Sequence, residues 1–142
     1  MYDDILIPTD GKDGSQVAIE HGVDLAERHG ARVHGLFVID EDVFEHYAAT
    51  DAIENAEAAL ADLGEDALYQ VASAADGANL DFEAVEVRGK PHEAILEYAA
   101  DHGIDCIVMG EGQHSDEYRR LLGSCTERVV RLSDVPVLVV KA

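Results

Sequence analysis

The residues best suited to do chemistry lie in two polar segments, each of which follows a short apolar run. Thr9-Asp10-Gly11 follows the run Ile5–Pro8, and a longer segment, residues 110–124, follows Ile104–Met109. If both runs are parallel strands of an α/β fold, the polar segments leave the carboxyl ends of those strands, where such folds hold their ligands. The two segments are therefore the first candidates for a binding site.

The second segment ends in Gly123-Ser124, at the predicted start of an amphipathic helix. The first backbone N–H groups of a helix have no acceptor within it, so these groups and the Ser124 hydroxyl can meet a phosphate. Another interpretation is open, because Ser124 and Glu127 match the S-x-x-E capping box, which satisfies the same donors without a ligand. The two are compatible, since a capping box leaves other donors of the first turn available.

Other reactive residue types lack the spacing that catalysis or metal binding needs. The seven histidines include no H-x-x-H or H-E-x-x-H pair, so we expect no metal site built from them. Ser15 is not in a G-x-S-x-G sequence and is predicted to cap a helix. Cys125 follows a helix start, which favours a thiolate, but with no base or second cysteine beside it we expect an inert thiol.

The elements that must position these residues alternate between strands and helices. The predicted strands are Asp4–Pro8, Arg32–Ile39, Asp81–Val87, Ile104–Met109 and Val137–Val140. The predicted helices cover about 15–29, 50–75, 91–102 and 124–132, with an irregular or short helical connection at 40–49. This alternation predicts an α/β fold with an open parallel sheet, right-handed crossovers and helices on both faces.

Composition sets further limits. The 142 residues fit a single domain, 1–142, and 30 acidic against 10 basic residues give a formal net charge of −20. This charge opposes binding to nucleic acid and to anionic membranes, and its even spread predicts a solvated acidic surface suited to a salt-rich cytoplasm. The apolar runs are too short to span a membrane and Met1 leads directly into a strand, so we expect a cytoplasmic protein.

Four segments together resemble the universal stress proteins of the UspA type. They are Ile-Pro-Thr-Asp-Gly at 7–11, Val-Met-Gly at 108–110, Leu-Leu-Gly-Ser at 121–124 and Val-Pro-Val-Leu-Val-Val at 135–140. The resemblance extends over the whole chain. It implies a Rossmann-like sheet of five parallel strands in the order 3-2-1-4-5, a bound ATP with Mg²⁺ in one branch of the family, and homodimers formed through the last strand.

The ATP-binding branch of that family carries the pattern G-x2-G-x9-G-[ST]. Gly110, Gly123 and Ser124 match it, whereas Gln113 occupies the position of the second glycine and Gly112 lies one residue before it. The resemblance implies that the nucleotide would contact Pro8, Thr9, Asp10, Val38, Met109, Gly110, Gln113, Gly123, Ser124 and Cys125. Within that set, Val38 would contact adenine and Asp10 would contact magnesium.

Two functions stay open at this point. The first is an ATP- or AMP-binding regulatory module of the stress response, with at most slow ATP hydrolysis, because no general base or lysine lies beside the phosphate loop. The second is a dimeric protein-interaction module that has lost its nucleotide, because Gln113 adds a side chain where glycine would let the backbone approach a phosphate. A phosphorylated receiver domain is excluded, since it needs an aspartate where the third strand ends in Val87-Arg88.

Overall fold

A computed structural model describes residues 1–11, 13–50, 53–112 and 122–141. Its strands are β1 (Asp4–Pro8), β2 (Arg32–Asp40), β3 (Phe82–Gly89), β4 (Cys106–Gly110) and β5 (Val137–Val140). Its helices are α1 (Asp13–His29), α2 (Glu41–Thr50), α3 (Ile53–Gly77), α4 (Pro91–Asp101) and α5 (Ser124–Leu132). The strands pair in parallel in the order β3-β2-β1-β4-β5, which confirms the predicted fold and topology.

The central strands read as unbroken apolar runs because both faces of the sheet are covered. One core contains Ile5, Ile7 and Val108 under α1 and α3, and the opposite core contains Leu6 and Ile107 under α4 and α5. Successive residues of a strand point to opposite faces, so a two-layered cover requires apolar residues at every position. No helix of the described residues is long and apolar enough to cross a membrane.

The connection at 40–49 forms a regular helix, α2. Its Phe44 is buried against Ala56 and Leu60 of α3, and the guanidinium of Arg88 lies 3.5 Å from the centre of the Phe44 ring. A cation held over an aromatic face is attracted to it, so this contact ties the end of β3 to α2. The sequence did not decide between an irregular and a helical connection, because Arg88, which packs on α2, lies far along the chain.

Two local expectations were wrong. β4 begins at Cys106 and not at Ile104, because the Ile104 N–H donates to the Ala99 carbonyl of α4 at 3.1 Å. Ser15 does not cap α1, because the helix already begins at Asp13. The Ser15 hydroxyl instead donates to the Asp10 carboxylate at 2.8 Å, so its partner is the preceding loop.

A polar contact within the second core joins α4 to the sheet. His34 of β2 is buried, with Nδ1 2.8 Å from the Tyr98 hydroxyl and Nε2 2.9 Å from an Asp4 carboxylate oxygen. Buried polar groups need such partners, and both ring nitrogens have one. The bond to Tyr98 is directional and fixes α4 against the ring, while the bond to Asp4 holds the ring from β1.

Close packing of α1 on β1 gives a testable consequence at Gly22. A Cβ at this position would lie 2.5 Å from Cδ1 and 2.9 Å from Cγ1 of the fully buried Ile7. We expect Gly22→Ala to lower the free energy of unfolding by about 1–2 kcal/mol, because overpacking outweighs the gain in helix propensity. Urea denaturation measures the change.

Gly14→Ala is the matched control in the same helix. A Cβ there has no neighbour within 4 Å, so the substitution should leave stability unchanged or raise it. Equal midpoints for the two variants would contradict the tight packing of α1 on the sheet.

Candidate functional site

The two predicted polar segments meet at the carboxyl edge of the sheet. β1 and β4 are neighbours, yet the chain leaves β1 toward α1 on one face and leaves β4 toward α5 on the other. A crevice forms where the connections diverge in this way. The backbone of Gly110 lies against the carbonyl oxygen of Gly14, which a Cβ on Gly110 would approach to 3.2 Å.

The segment after β1 is held by short-range hydrogen bonds. The Thr9 N–H donates to the Leu36 carbonyl at 2.9 Å, and the Thr9 hydroxyl oxygen accepts the Gly11 N–H at 3.2 Å. Gly11 has φ 78°, a conformation that suits glycine. Asp10 is exposed at the tip, with one carboxylate oxygen bonded to Ser15, so the carboxylate faces the crevice edge in a defined place.

The described residues on either side of 113–121 lie against each other at the end of β4. The Gly123 N–H donates to the Glu111 carbonyl at 2.7 Å, and a Cβ on Gly112 would lie 2.6 Å from the Gly123 Cα. Gly112 also has φ 90°, so this position requires glycine for its conformation and for space. Gln113 and the rest of 113–121 lie outside the described residues.

The start of α5 contradicts one of the two interpretations of its sequence and leaves the other open. Gly123 and not Ser124 is the N-cap, no side chain caps the helix, and Glu127 pairs with Arg131 instead, so the predicted capping box is wrong. The Gly123 N–H is used by Glu111, so it is not free for a phosphate. The N–H groups of the first helical residues, Ser124 and Cys125, have no acceptor within the helix.

The remaining predicted contacts line the sheet edge below this helix start. Pro8, Val38 and Met109 point to the face that carries α4 and α5, since they follow Leu6, Leu36 and Ile107 of that core by two residues. The Thr126 hydroxyl donates to the Gly110 carbonyl at 3.0 Å and holds α5 against β4. Val38, Met109 and Cys125 thus pack against one core, and the binding roles of the predicted site residues stay predictions.

A cleft of about 340 Å³ opens on this side of the sheet. It lies between the starts of α4 and α5 and the end of β2. Its lining residues are Asp40, Asp42, Lys90, Pro91, His92, Glu93, Ser124, Cys125 and Arg128. Only Ser124 and Cys125 of these were predicted, because the others come from three distant segments and belong to no recognised pattern.

The cleft has two cationic side chains and a second uncapped helix start. Among the described residues, no carboxylate forms an ion pair with Lys90 or Arg128. Lys90 is the N-cap of α4, again without a side-chain hydrogen bond, and Pro91 follows as the first helical residue. Lys-Pro directly after a predicted strand was the sequence signal for this second helix start.

Comparison with known proteins agrees with this arrangement. Residues 1–141 match the universal stress protein family. The chain belongs to that family. Universal stress protein MJ0531 of Methanocaldococcus jannaschii is 35% identical over 99% of this chain and 83% of its own length.

Two solved structures share the fold and much of the sequence. The structure of MJ0577 superposes with a TM-score of 0.85 at 30% identity, covering 100% of this chain and 97% of its own. A universal stress protein solved in complex with cAMP superposes with a TM-score of 0.71 at 28% identity, covering 99% and 97%. Both span nearly the whole of this chain, so the family relationship includes the segments that form the cleft.

The described residues contain no group of three or more histidine, cysteine or acidic side chains placed to hold a metal ion. Asp10 alone therefore represents the predicted magnesium contact within these ranges. The magnesium contact at Asp10 stays a prediction.

The pKa of the Cys125 thiol reflects the burial and the charges at the start of α5. Burial first, and then the carboxylates of Asp40 and Asp10, raise its pKa from 9.0 to about 11 against the opposing effect of Arg128. The thiol is therefore protonated at neutral pH, which supports the expected inert cysteine. The carboxylates of β1 and β2 outweigh the arginine at this point.

A raised thiol pKa makes stability fall in alkaline solution. The unfolded thiol ionises near its ordinary value while the folded thiol stays protonated, so the stability it contributes is present below pH 9.0 and is lost toward about pH 11. We expect the stability advantage of the native chain over Cys125→Ala to shrink across this window. Urea denaturation at a series of pH values measures it.

The same difference between pH 6 and 8, where neither state of the thiol ionises appreciably, is the internal control and should be constant. A difference that stays constant up to pH 11 would contradict the buried, carboxylate-flanked thiol.

Proposed function

We propose that this protein is a nucleotide-binding regulatory module of the stress response, with ATP or AMP as its ligand and Mg²⁺ as the partner of a bound triphosphate. The observation that carries the proposal is the uncapped start of α5 beside the carboxyl ends of β1 and β4. Free N–H groups at a helix start favour anionic groups, and this one borders a cleft with two cations. The relative in complex with cAMP supports a nucleotide as the ligand.

The proposed contacts divide between the two ends of the nucleotide. Val38 contacts adenine, while Pro8, Thr9 and Asp10 approach the ribose, the phosphates or Mg²⁺. The residues that border the phosphate end are Met109, Gly110, Gln113, Gly123, Ser124 and Cys125. The Ser124 hydroxyl is exposed at that end and adds a donor to those of the backbone.

The proposed role is binding without turnover. Cys125 is protonated and half-buried, and the Ser15 hydroxyl is already bonded to Asp10. Ser15 and Asp10 are a hydroxyl–carboxylate pair at the crevice, and the proposal assigns that carboxylate to Mg²⁺ and not to proton transfer from Ser15. Binding then acts by changing the conformation or the assembly of the protein.

The experiment that tests nucleotide binding compares two loop variants. Gln113→Gly should strengthen binding, because it restores backbone freedom, and Gly123→Val should abolish it, because its side chain enters the space in front of α5. Gly123 has φ −61°, which valine tolerates, so the substitution tests space and not backbone angle. Thermal unfolding with magnesium-ATP is the measurement, since ligand at 100 times its Kd stabilises by about 2.7 kcal/mol.

Gly77→Val is the control for the added side chain, since a Cβ there meets nothing within 4 Å. It should reduce stability without changing the ligand-induced shift. If the native chain and Gln113→Gly both ignore millimolar ATP, ADP and AMP, the nucleotide proposal fails and the protein-interaction module replaces it.

We also propose a homodimer formed through β5. This strand pairs only with β4 and ends the described sheet. The carbonyls of Pro136 and Val140 accept hydrogen bonds from β4 and the segment after it, so Val137 and Val139 direct their own backbone groups to the free edge. The apolar side chains near this edge that are more than two-fifths exposed are Val130, Leu132 and Leu138.

An unpaired apolar edge is satisfied when a second copy adds its own edge strand. Val139→Pro removes a donor that points to the free edge, so we expect it to yield folded monomer where the native chain is a dimer. Light scattering at tens of micromolar measures the mass. Val139→Thr keeps the donor and should stay dimeric.

Leu138→Pro is the comparison variant for the side of β5 that pairs with β4. Its N–H is directed toward β4, so this variant should unfold and not merely dissociate. A native chain that is monomeric at tens of micromolar would contradict the proposed dimer.

A further inference from the structure

The charges around the cleft are unusual for a site that would hold a triphosphate. The carboxylates of Asp40, Asp42 and Glu93 line it, against the two cations Lys90 and Arg128. Asp40 and Asp42 lie on the side of β2 and α2, so the acids are not confined to the loop around α5. A highly charged anion would meet more repulsion than attraction from these formal charges.

The segment outside the described ranges does not change this balance in formal charge. Residues 113–121 carry Asp116 and Glu117 against Arg119 and Arg120, which is two negative and two positive charges and a net of zero. The excess of carboxylate over cation therefore lies in the residues that line the cleft, where three acids stand against two cations.

The Cys125 thiol lies where the phosphates would approach α5. Its pKa is raised by burial and then by the same excess of negative charge. Ionising this thiol places one negative charge at the helix start, and there Asp40 and Asp10 oppose it while Arg128 favours it. A ligand phosphate at the same place meets the same groups. Of the two carboxylates, Asp40 raises the pKa of the thiol more than Asp10 does, so it has the stronger electrostatic effect at this place.

We propose that this cleft selects nucleotides by charge, so that a nucleoside monophosphate or a cyclic nucleotide binds in preference to a metal-free triphosphate, with Asp40 as the specificity-determining residue. The inference rests on the proposed nucleotide function and adds to it a ranking of ligands. Arg128 and Lys90 compensate one phosphate group. A triphosphate needs Mg²⁺ to lower its own charge before it fits beside Asp40.

The side chain of Asp40 can be neutralised without loss of structure. One carboxylate oxygen accepts the Asp42 N–H at 3.0 Å at the start of α2, and the amide oxygen of asparagine can accept the same bond. Asp40→Asn therefore changes the charge while it keeps the cap of α2. Glu20→Gln is a matched control, because it removes one exposed carboxylate from α1, on the opposite face of the sheet.

Calorimetric titration of the full chain with cAMP, AMP and ATP tests the ranking, first in EDTA and then with magnesium. In EDTA at about 0.15 M salt, the native chain should bind AMP and cAMP more tightly than ATP. Asp40→Asn should improve the affinity for ATP relative to AMP by about fivefold to tenfold. Glu20→Gln should leave that ratio unchanged.

Two further measurements test the opposite change in charge, by removing a cation or by screening the carboxylates. Arg128→Gln should weaken every phosphate ligand and ATP most of all, because it removes a compensating cation. Magnesium, or about 1 M salt, should narrow the difference between AMP and ATP in the native chain, because either reduces the effective charge at the cleft.

The outcomes separate the two proposals. If AMP, cAMP and ATP all bind but Asp40→Asn changes each affinity by the same factor, or if metal-free ATP binds the native chain as tightly as AMP, charge selection is overturned and the nucleotide function stands. If none of the three binds under any condition, the nucleotide function itself is overturned.

Discussion

The hydrogen bond from the Gly123 N–H to the Glu111 carbonyl is the constraint on which the rest of the site depends. It brings the chain back to the end of β4 after the intervening loop, so α5 must begin beside the sheet. The close approach of Gly112 to Gly123 excludes any side chain at that contact, and the Thr126 hydroxyl adds a second attachment to Gly110. Together these contacts fix the helix start relative to the end of β4, and β4 pairs with β1.

Much of the fold could be predicted from the sequence, because parallel strands covered on both faces leave long apolar runs and their helices leave periodic ones. The order of the strands followed from the family resemblance and not from periodicity. The misplaced details have tertiary causes. Ser15 and Ser124 both have the residue type of a cap, yet a helix that starts two residues earlier and a glycine N-cap made those positions internal.

The candidate site was predicted in part for a similar reason. Residues adjacent to Gly123 and Thr9 belong to recognisable patterns, whereas Asp40, Lys90 and Arg128 meet only after three crossovers bring their elements together. The net charge of a cleft depends on residues from several distant segments. A single sequence does not show which of its 40 charged residues line the same cleft. Acidic residues are spread evenly along the chain, so nothing in the sequence indicates that acidic and basic side chains meet in this cleft.

The contact of His34 with Tyr98 and Asp4 has a consequence for how the cleft tolerates change. Interdigitated apolar side chains already resist sliding of a helix. To move, α4 must also break the directional hydrogen bond between Tyr98 and the buried ring of His34, whose other nitrogen is held from β1 by Asp4. Because the first turn of α4 forms one wall of the cleft, that wall keeps its distance from β2 whatever side chains it carries. The position of this wall therefore rests on a buried contact behind it, so a substitution at Lys90, His92 or Glu93 changes the charge that faces the cleft while the anchor of the helix at His34 stays in place.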